Sequence, residues 1–345
     1  MNPSVCTATT GLRSAFKIHN IRPVCGLKLH TSPILSAKTV PSLSTHEEIE
    51  IPVPWGHISG KWWGRKDVTP VIGLHGFEDN AGSFDRLAPM LNLPAFLALD
   101  AIGHGKSSHI PPGMVYTFID FVIAFRRVVK YYGWKQFSII GHSFGSTMGH
   151  IYASIYPGEV DKFVTLDCTR TFMATIGMGG VTGAPRLRLI TEKCLKADKD
   201  RTREPPAYTR EEMVTALCKG SMDSVLKEHV HPLMERGSTV HPSKPNHFYF
   251  TRDQKLRQSD FNRPSLELLE ESAKNIKCHV LTILATGGYV NLCKDSLQEK
   301  TFNKFEGLIK DSAPSYKRLD VVGTHHVHLN DPKNVAPHIN DFFSS

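Results

Sequence analysis

From Glu48 onwards, short apolar segments alternate with segments of helical length, and this alternation limits the possible folds more than any other feature of the chain. Two apolar segments come first, and helix-length segments separate most of the later ones. Because parallel strands need crossover connections, the pattern predicts an α/β fold with a mostly parallel central sheet flanked by helices. The predicted strands are Ile49–Val53, His57–Trp63, Val71–His75, Phe96–Asp100, Phe137–Ile140, Lys162–Asp167, His279–Ala285 and Tyr316–Val321, and the predicted helices are Thr117–Tyr132, Phe144–Tyr156, Pro264–Ala273, Leu297–Lys310 and Pro332–Phe343.

One predicted strand ends at Asp167 and the next begins at His279. The interval between them is too long for an ordinary crossover connection. It is polar, basic and rich in Gly and Pro, with helices predicted near Arg210–Cys218 and Ser221–Arg236. We therefore expect an inserted helical lid above the crevice at the carboxyl ends of the strands. The predicted segments are a tail at 1–46, a first part of the core at 47–167, the lid insertion at 168–263 and a second part of the core at 264–345.

The net charge of +8 at pH 7 is concentrated at the amino terminus. The first 46 residues contain five basic and no acidic side chains, so subtracting these five leaves +3 for the rest. A net charge of only +3 on residues 47–345 needs no anionic partner, so no nucleic-acid partner is expected. The Ser- and Thr-rich, acid-free tail has the composition of a mitochondrial transit peptide, and a disordered cytosolic extension has the same composition.

Hydrophobicity argues against a membrane-spanning protein, and cysteine usage argues against a protein stabilised by disulfides or zinc. No segment approaches the roughly 18 to 20 apolar residues that span a bilayer, so no transmembrane segment is expected. The cysteines are odd in number and form no C-x-x-C pair, which argues against a disulfide framework or a zinc ribbon and favours reduced thiols in an intracellular compartment, mitochondrial or cytoplasmic. They are Cys6, Cys25, Cys168, Cys194, Cys218, Cys278 and Cys293.

The most specific motif is Gly141-His142-Ser143-Phe144-Gly145, a G-x-S-x-G directly after an apolar strand and directly before a helix. This context is typical of a sharp strand-to-helix turn that exposes the serine hydroxyl as a nucleophile. Glycines flank the turn because a Cβ there would collide across it. The alternative, a structural serine in a tight turn, does not need this context.

Two backbone amides are candidates for binding an oxyanion. The strand Val71–His75 runs into His75-Gly76-Phe77, which matches the H-G-x turn that supplies one donor, and the residue after the nucleophile supplies the other. We therefore predict that the amides of Phe77 and Phe144 form the oxyanion hole. His75 itself is interpreted as a turn-stabilising residue, because the base comes last in this chain order.

The candidate base follows the last predicted strand, where His325, His326 and His328 lie close together in the sequence. We predict His325, two residues after Gly323, as the general base, with His326 as the main alternative. No carboxylate or cysteine in the sequence is placed to complete a metal site with these histidines, so no metal is expected.

The acid that should orient the base is harder to place. The usual position, just after the strand His279–Ala285, contains no acid. Asp167, at the end of the strand after the nucleophile helix, is our first candidate, and Asp295 is the second. Asn291, or no acid at all, remains a further alternative.

With these motifs the chain resembles the serine-hydrolase-like group of the α/β-hydrolase superfamily over roughly residues 48–343. The resemblance rests on His75–Asp85, Asp100–Ser108, the turn at Ser143 and Gly323–Leu329. It implies an α/β-hydrolase fold and a serine hydrolase of undefined substrate, with Ser143 as the nucleophile. Members of that group typically have Trp where this chain has Phe77, a change that should leave the backbone donor intact.

We therefore predict a hydrolase that cleaves small-molecule carboxylic esters or related acyl substrates through an acyl-enzyme on Ser143. Serine supplies its own nucleophile, so no cofactor is implied. Two alternatives stay open from the sequence. The chain could be a noncatalytic binding protein that has kept the fold, or a C–C bond hydrolase that uses the same triad.

Overall fold

An eight-stranded sheet forms the centre of the computed structural model, which describes residues 43–168, 183–200, 203–257, 265–292 and 297–345. Its order is β1-β2-β4-β3-β5-β6-β9-β10; β2 pairs antiparallel with β1 and β4, and all other pairs are parallel. The predicted α/β fold with a mostly parallel sheet is confirmed. The strands are β1 His46–Val53, β2 Gly56–Gly64, β3 Val71–Leu74, β4 Ala95–Leu99, β5 Phe137–His142, β6 Val160–Leu166, β7 Ser238–Val240, β8 Phe248–Phe250, β9 His279–Gly287 and β10 Tyr316–Thr324.

Helices connect and cover the strands. The first begins after a capping box of Thr117 and Asp120 and ends where Gly133 adopts a left-handed conformation with φ 71°. In the described part of the chain, none is both long and apolar enough to cross a membrane. They are α1 Phe118–Tyr132, α2 Phe144–Ile155, α3 Gly183–Asp200, α4 Arg210–Gly220, α5 His231–Gly237, α6 Leu266–Lys274, α7 Tyr289–Leu292, α8 Leu297–Ser312, α9 Val327–Asn330 and α10 Ala336–Ser344.

The sheet buries apolar side chains on both faces, as a parallel sheet covered by helices requires. Adjacent residues of β5 point to opposite faces because side chains alternate along a strand. Ile139 packs in the cluster that contains Val128 of α1, whereas Ile140 packs in the cluster that contains Phe84 and Ile339 of α10. The continuous apolar strands that identify the sheet in the sequence follow from this two-sided burial.

The described residues between β6 and β9 form α3, α4, α5 and the antiparallel pair β7–β8. The predicted helix Ser221–Arg236 is wrong in extent, since turns and one short 3-10 segment precede α5. Pro232 lacks an amide hydrogen and is tolerated only in the first turn of a helix, so α5 begins at His231. For the same reason Pro337 places the start of α10 at Ala336, later than predicted.

Arg236, at the end of α5, connects this interval to the sheet. Its Nε lies 2.9 and 3.0 Å from the two carboxylate oxygens of Asp100, and its Nη1 lies 2.8 Å from both oxygens of Glu48. Asp100 is fully buried and also accepts the amides of Ala81 and Lys106, each at 2.8 Å. Arg236 therefore compensates a carboxylate that water does not reach.

Replacing Arg236 by Met should lower the free energy of unfolding by about 3 kcal/mol, because the Asp100 charge would stay buried without its cationic partner. Glu48→Gln is the matched control, since Glu48 is 44% exposed, and it should cost less than about 1 kcal/mol. Urea unfolding at neutral pH measures both. Equal losses in the two variants would show that burial of Asp100 does not determine the effect.

Candidate active site

The turn from β5 into α2 places Ser143 in a strained backbone conformation, with φ 49° and ψ −116°. Both flanking glycines are required sterically. A Cβ on Gly145 would lie 2.0 Å from the carbonyl oxygen of Leu74, and one on Gly141 would lie 2.6 Å from Cα of Ser146. The Ser143 side chain is partly exposed and does not cap the helix. Strain of this kind is typical of functional turns and leaves the hydroxyl available.

The two predicted oxyanion donors lie beside this turn. The rings of Phe77 and Phe144 are in edge contact, with centroids 5.8 Å apart. Within the described part of the chain, neither of their amides donates a hydrogen bond. The next amide, that of Glu78, donates instead to His104 Nε2 at 3.1 Å. The turn therefore leaves the two predicted donors free.

His325 and Asp167 are brought together by the ends of β10 and β6. The Nδ1 atom of His325 lies 2.5 Å from Oδ2 of Asp167, and both side chains are buried. A carboxylate oxygen only accepts, so Nδ1 carries the proton and Nε2 has the lone pair. This is the tautomer that a general base needs.

Asp167 is held by the end of β9 and the loop that follows it, the usual position of the acid, where this chain has none. Its Oδ1 accepts the amide of Ala285 at 2.9 Å, and its Oδ2 accepts the amide of Tyr289 at 3.1 Å. A Cβ on Gly288 would lie 2.1 Å from Oδ1, so glycine is needed for this approach. This segment thus binds the carboxylate through its backbone amides. The second candidate acid, Asp295, lies outside the described residues, and Asn291 donates to the carbonyl of Ala285.

The alternative histidines contact other partners. His326 lies between Ser224 Oγ, 2.7 Å from Nδ1, and Asp79 Oδ2, 3.2 Å from Nε2. His328 Nε2 lies 2.9 Å from Ser83 Oγ. Of these three neighbouring histidines, His325 is the one that contacts Asp167 among the described residues.

Ser143 and His325 are connected through the residue next to Ser143 and not by a direct hydrogen bond. Among the described residues no hydrogen bond joins the Ser143 hydroxyl to the imidazole. The preceding residue, His142, packs its ring 4.7 Å from that of His325 and lies 3.0 Å, through Nε2, from the His325 carbonyl oxygen. Hydrogen bonds in unliganded catalytic sites are often loose and shorten when substrate binds.

Sequence reasoning missed Tyr289. Its ring stacks on His325, with centroids 3.9 Å apart and planes 18° from parallel, and its hydroxyl donates to the carbonyl of Ser221 at 2.7 Å. It therefore fixes the imidazole plane from the side while its amide binds Asp167. No local motif marks such a residue, because stacking depends on a contact between two distant loops.

Burial is the main cause of the pKa shifts of Asp167 and His325. Burial raises the pKa of Asp167 to about 6, although the amides of Ala285 and Tyr289 favour the carboxylate. Burial, together with the nearby His326, lowers the pKa of His325 well below its ordinary value. The histidine is therefore held in its neutral, basic form at physiological pH.

Comparisons with known proteins identify the fold and the family of the chain. Residues 69–179 match the model of a family described as alpha/beta hydrolase fold. A probable serine hydrolase from Drosophila melanogaster is 37% identical over 299 residues, covering 85% of this chain and 86% of the relative. A serine hydrolase-like protein from Mus musculus is 32% identical over 305 residues, covering 87% of this chain and 96% of the relative.

Solved structures share the fold. A hypothetical protein from Pseudomonas aeruginosa superposes with a TM-score of 0.70 at 27% identity, covering 87% of this chain and 100% of that one. The thioesterase domain of the curacin biosynthetic pathway gives a TM-score of 0.66 at 18% identity, covering 86% and 99%. On the identity and coverage of its relatives, the chain belongs to the serine hydrolase-like family of α/β-hydrolase-fold proteins.

Proposed function

We propose that the protein hydrolyses carboxylic esters or related acyl compounds through an acyl-enzyme on Ser143. The observation that carries the proposal is the buried Asp167–His325 pair beside the strained turn at Ser143. A serine hydroxyl is a weak nucleophile until a base removes its proton, and an oriented neutral histidine is such a base.

In the proposed first step, the Ser143 oxygen attacks the acyl carbon while His325 Nε2 takes its proton. The imidazolium that forms then protonates the leaving alcohol, which leaves an acyl group on Ser143. In the second step, water attacks the acyl carbon and gives a proton to His325, and His325 returns that proton to the Ser143 oxygen as the acyl–serine bond breaks and the carboxylic acid leaves. Asp167 keeps the proton of Nδ1 in place and stabilises the imidazolium in both steps.

The oxyanion of each tetrahedral intermediate would accept hydrogen bonds from the amides of Phe77 and Phe144. Amides that are already oriented need no rearrangement when the charge develops, and one such donor typically contributes about 10² to 10³ in rate. Because the donors are backbone groups, the presence of Phe at position 77 is compatible with this role.

The chemistry named for two structural neighbours supports an acyl substrate. One structural neighbour is named a thioesterase domain and another is named an esterase from M. tuberculosis.

Ser143→Ala should abolish labelling by a fluorophosphonate probe and lower turnover of a chromogenic short-chain ester by about 10³-fold or more, because the acyl-enzyme cannot form. Ser154→Ala is the control and should react like the wild-type protein, because Ser154 lies near the far end of α2 and its hydroxyl donates to the carbonyl of Ile151. A wild-type protein that neither reacts with the probe nor turns over any of a panel of esters and thioesters would support the noncatalytic alternative.

Asp167→Asn should lower kcat by roughly 10³ to 10⁴-fold, because the amide group favours the wrong tautomer of His325. The KM should change little. Asp295→Asn tests the second candidate acid and should keep kcat within about threefold of the wild-type value. If Asp295→Asn caused the larger loss in steady-state kinetics, the proposed role of Asp167 would be wrong.

The pH profile tests the coupling of the pair. Lowering the pH adds a proton to the Asp167–His325 pair and removes the base, so kcat/KM should rise with pH through an apparent pKa of about 6 and level off at higher pH. Initial rates with a non-ionisable ester over about pH 4.5 to 9 measure this profile. A rate that is constant, or that falls as the pH rises through 6, would contradict it.

A further inference from the structure

Three buried side chains beside the proposed catalytic residues direct nitrogen and oxygen atoms toward one point. They are Asp79 from the turn after β3, His142 at the end of β5 and His326 just before α9. Asp79 Oδ2 lies 3.2 Å from His326 Nε2 and 3.6 Å from His142 Nδ1, and one ligand atom from each residue lies within 4.8 Å of the others. The proposed acyl transfer uses none of these three atoms.

His142 presents a lone pair to this point. Its Nε2 lies 3.0 Å from the carbonyl oxygen of His325, which only accepts, so Nε2 carries the proton. Its Nδ1 is buried and has no hydrogen-bond partner in the described part of the chain.

His326 presents a second lone pair. The hydroxyl of Ser224 donates to the carbonyl of Ser221 at 2.7 Å, so its oxygen accepts from His326 Nδ1, also at 2.7 Å. With the His326 proton on Nδ1, Nε2 faces the carboxylate of Asp79 with its lone pair. Three acceptor atoms then face one another in a buried site, where one bound cation would satisfy all three.

We propose that Asp79, His142 and His326 form a mononuclear site for a divalent transition-metal ion of the Zn²⁺ type. Zinc binds carboxylate oxygen and imidazole nitrogen at about 2.0 to 2.2 Å, so two ligand atoms of a tetrahedral site lie roughly 3.3 to 3.6 Å apart. The two separations from Asp79 Oδ2, 3.2 and 3.6 Å, are close to this spacing, and the two histidine nitrogens lie within 4.8 Å of each other. Three protein ligands leave the fourth position for water.

The second nitrogen of each histidine supports the assignment. Metal-binding histidines usually donate their other N–H group to a carbonyl or another acceptor, which fixes the ring and the tautomer. Here His142 donates to the His325 carbonyl and His326 donates to Ser224 Oγ. A proton on His326 Nε2 would also satisfy Asp79, but it would leave His142 Nδ1 without a partner, whereas a metal ion uses all three atoms.

Metal binding to the full-length, untagged protein tests the proposal independently of any hydrolytic activity. After dialysis against a chelator, the protein should bind one equivalent of Co²⁺ with the visible absorption bands of a tetrahedral site, and Zn²⁺ should displace it. Metal analysis after gel filtration should give one zinc per chain. Absence of stoichiometric binding by the folded wild-type protein would overturn the proposal.

Two ligand variants and one matched control localise the site. Asp79→Asn and His326→Asn should each weaken binding by about 100-fold or more, at or above the upper end of what the loss of a supporting contact costs. His150→Asn removes another buried histidine, on α2, whose ring lies beside Phe163, and this variant should bind the metal as the wild-type protein does. Circular dichroism checks that each variant is folded. Unchanged affinity in both ligand variants, or an equal loss in His150→Asn, would place the ion elsewhere.

Discussion

The carboxylate of Asp167 joins three loops at the carboxyl edge of the sheet. It accepts the amide of Ala285 near the end of β9, the amide of Tyr289 just after β9 and the Nδ1 proton of His325 from the segment after β10. Its own backbone has a positive φ of 40°, and Gly288 leaves room for its oxygens. Among the described residues, Asp167 makes the one hydrogen bond to the His325 ring and Tyr289 stacks on it, so these two side chains orient the proposed base.

The interval between β6 and β9 contributes to the same edge of the sheet. Tyr289, which stacks on His325, donates its hydroxyl to the carbonyl of Ser221, and Ser224 contacts His326. Arg236 pairs with Asp100, whose carboxylate also holds the amides of Ala81 and Lys106. The interval between β6 and β9 therefore helps to position the segments that carry His325 and His326.

The sheet and the turn at Ser143 can be predicted from the sequence because their signals are local. Apolar strands and a G-x-S-x-G motif each lie within a few residues. The contacts of Asp79 cannot be predicted in this way, since it meets His326 across 247 positions of sequence. Asp167 was one of several candidate acids because a sequence does not show which carboxylate points at His325. The strands β7 and β8 were missed because each has only three residues.

A crystal structure of the protein after reaction with a fluorophosphonate tests the central claim most directly. We expect a covalent bond from phosphorus to the Ser143 oxygen, a phosphonyl oxygen within hydrogen-bonding distance of the Phe77 and Phe144 amides, and the Asp167–His325 contact preserved. An adduct on another residue, or a phosphonyl oxygen that points away from both amides, would contradict the account.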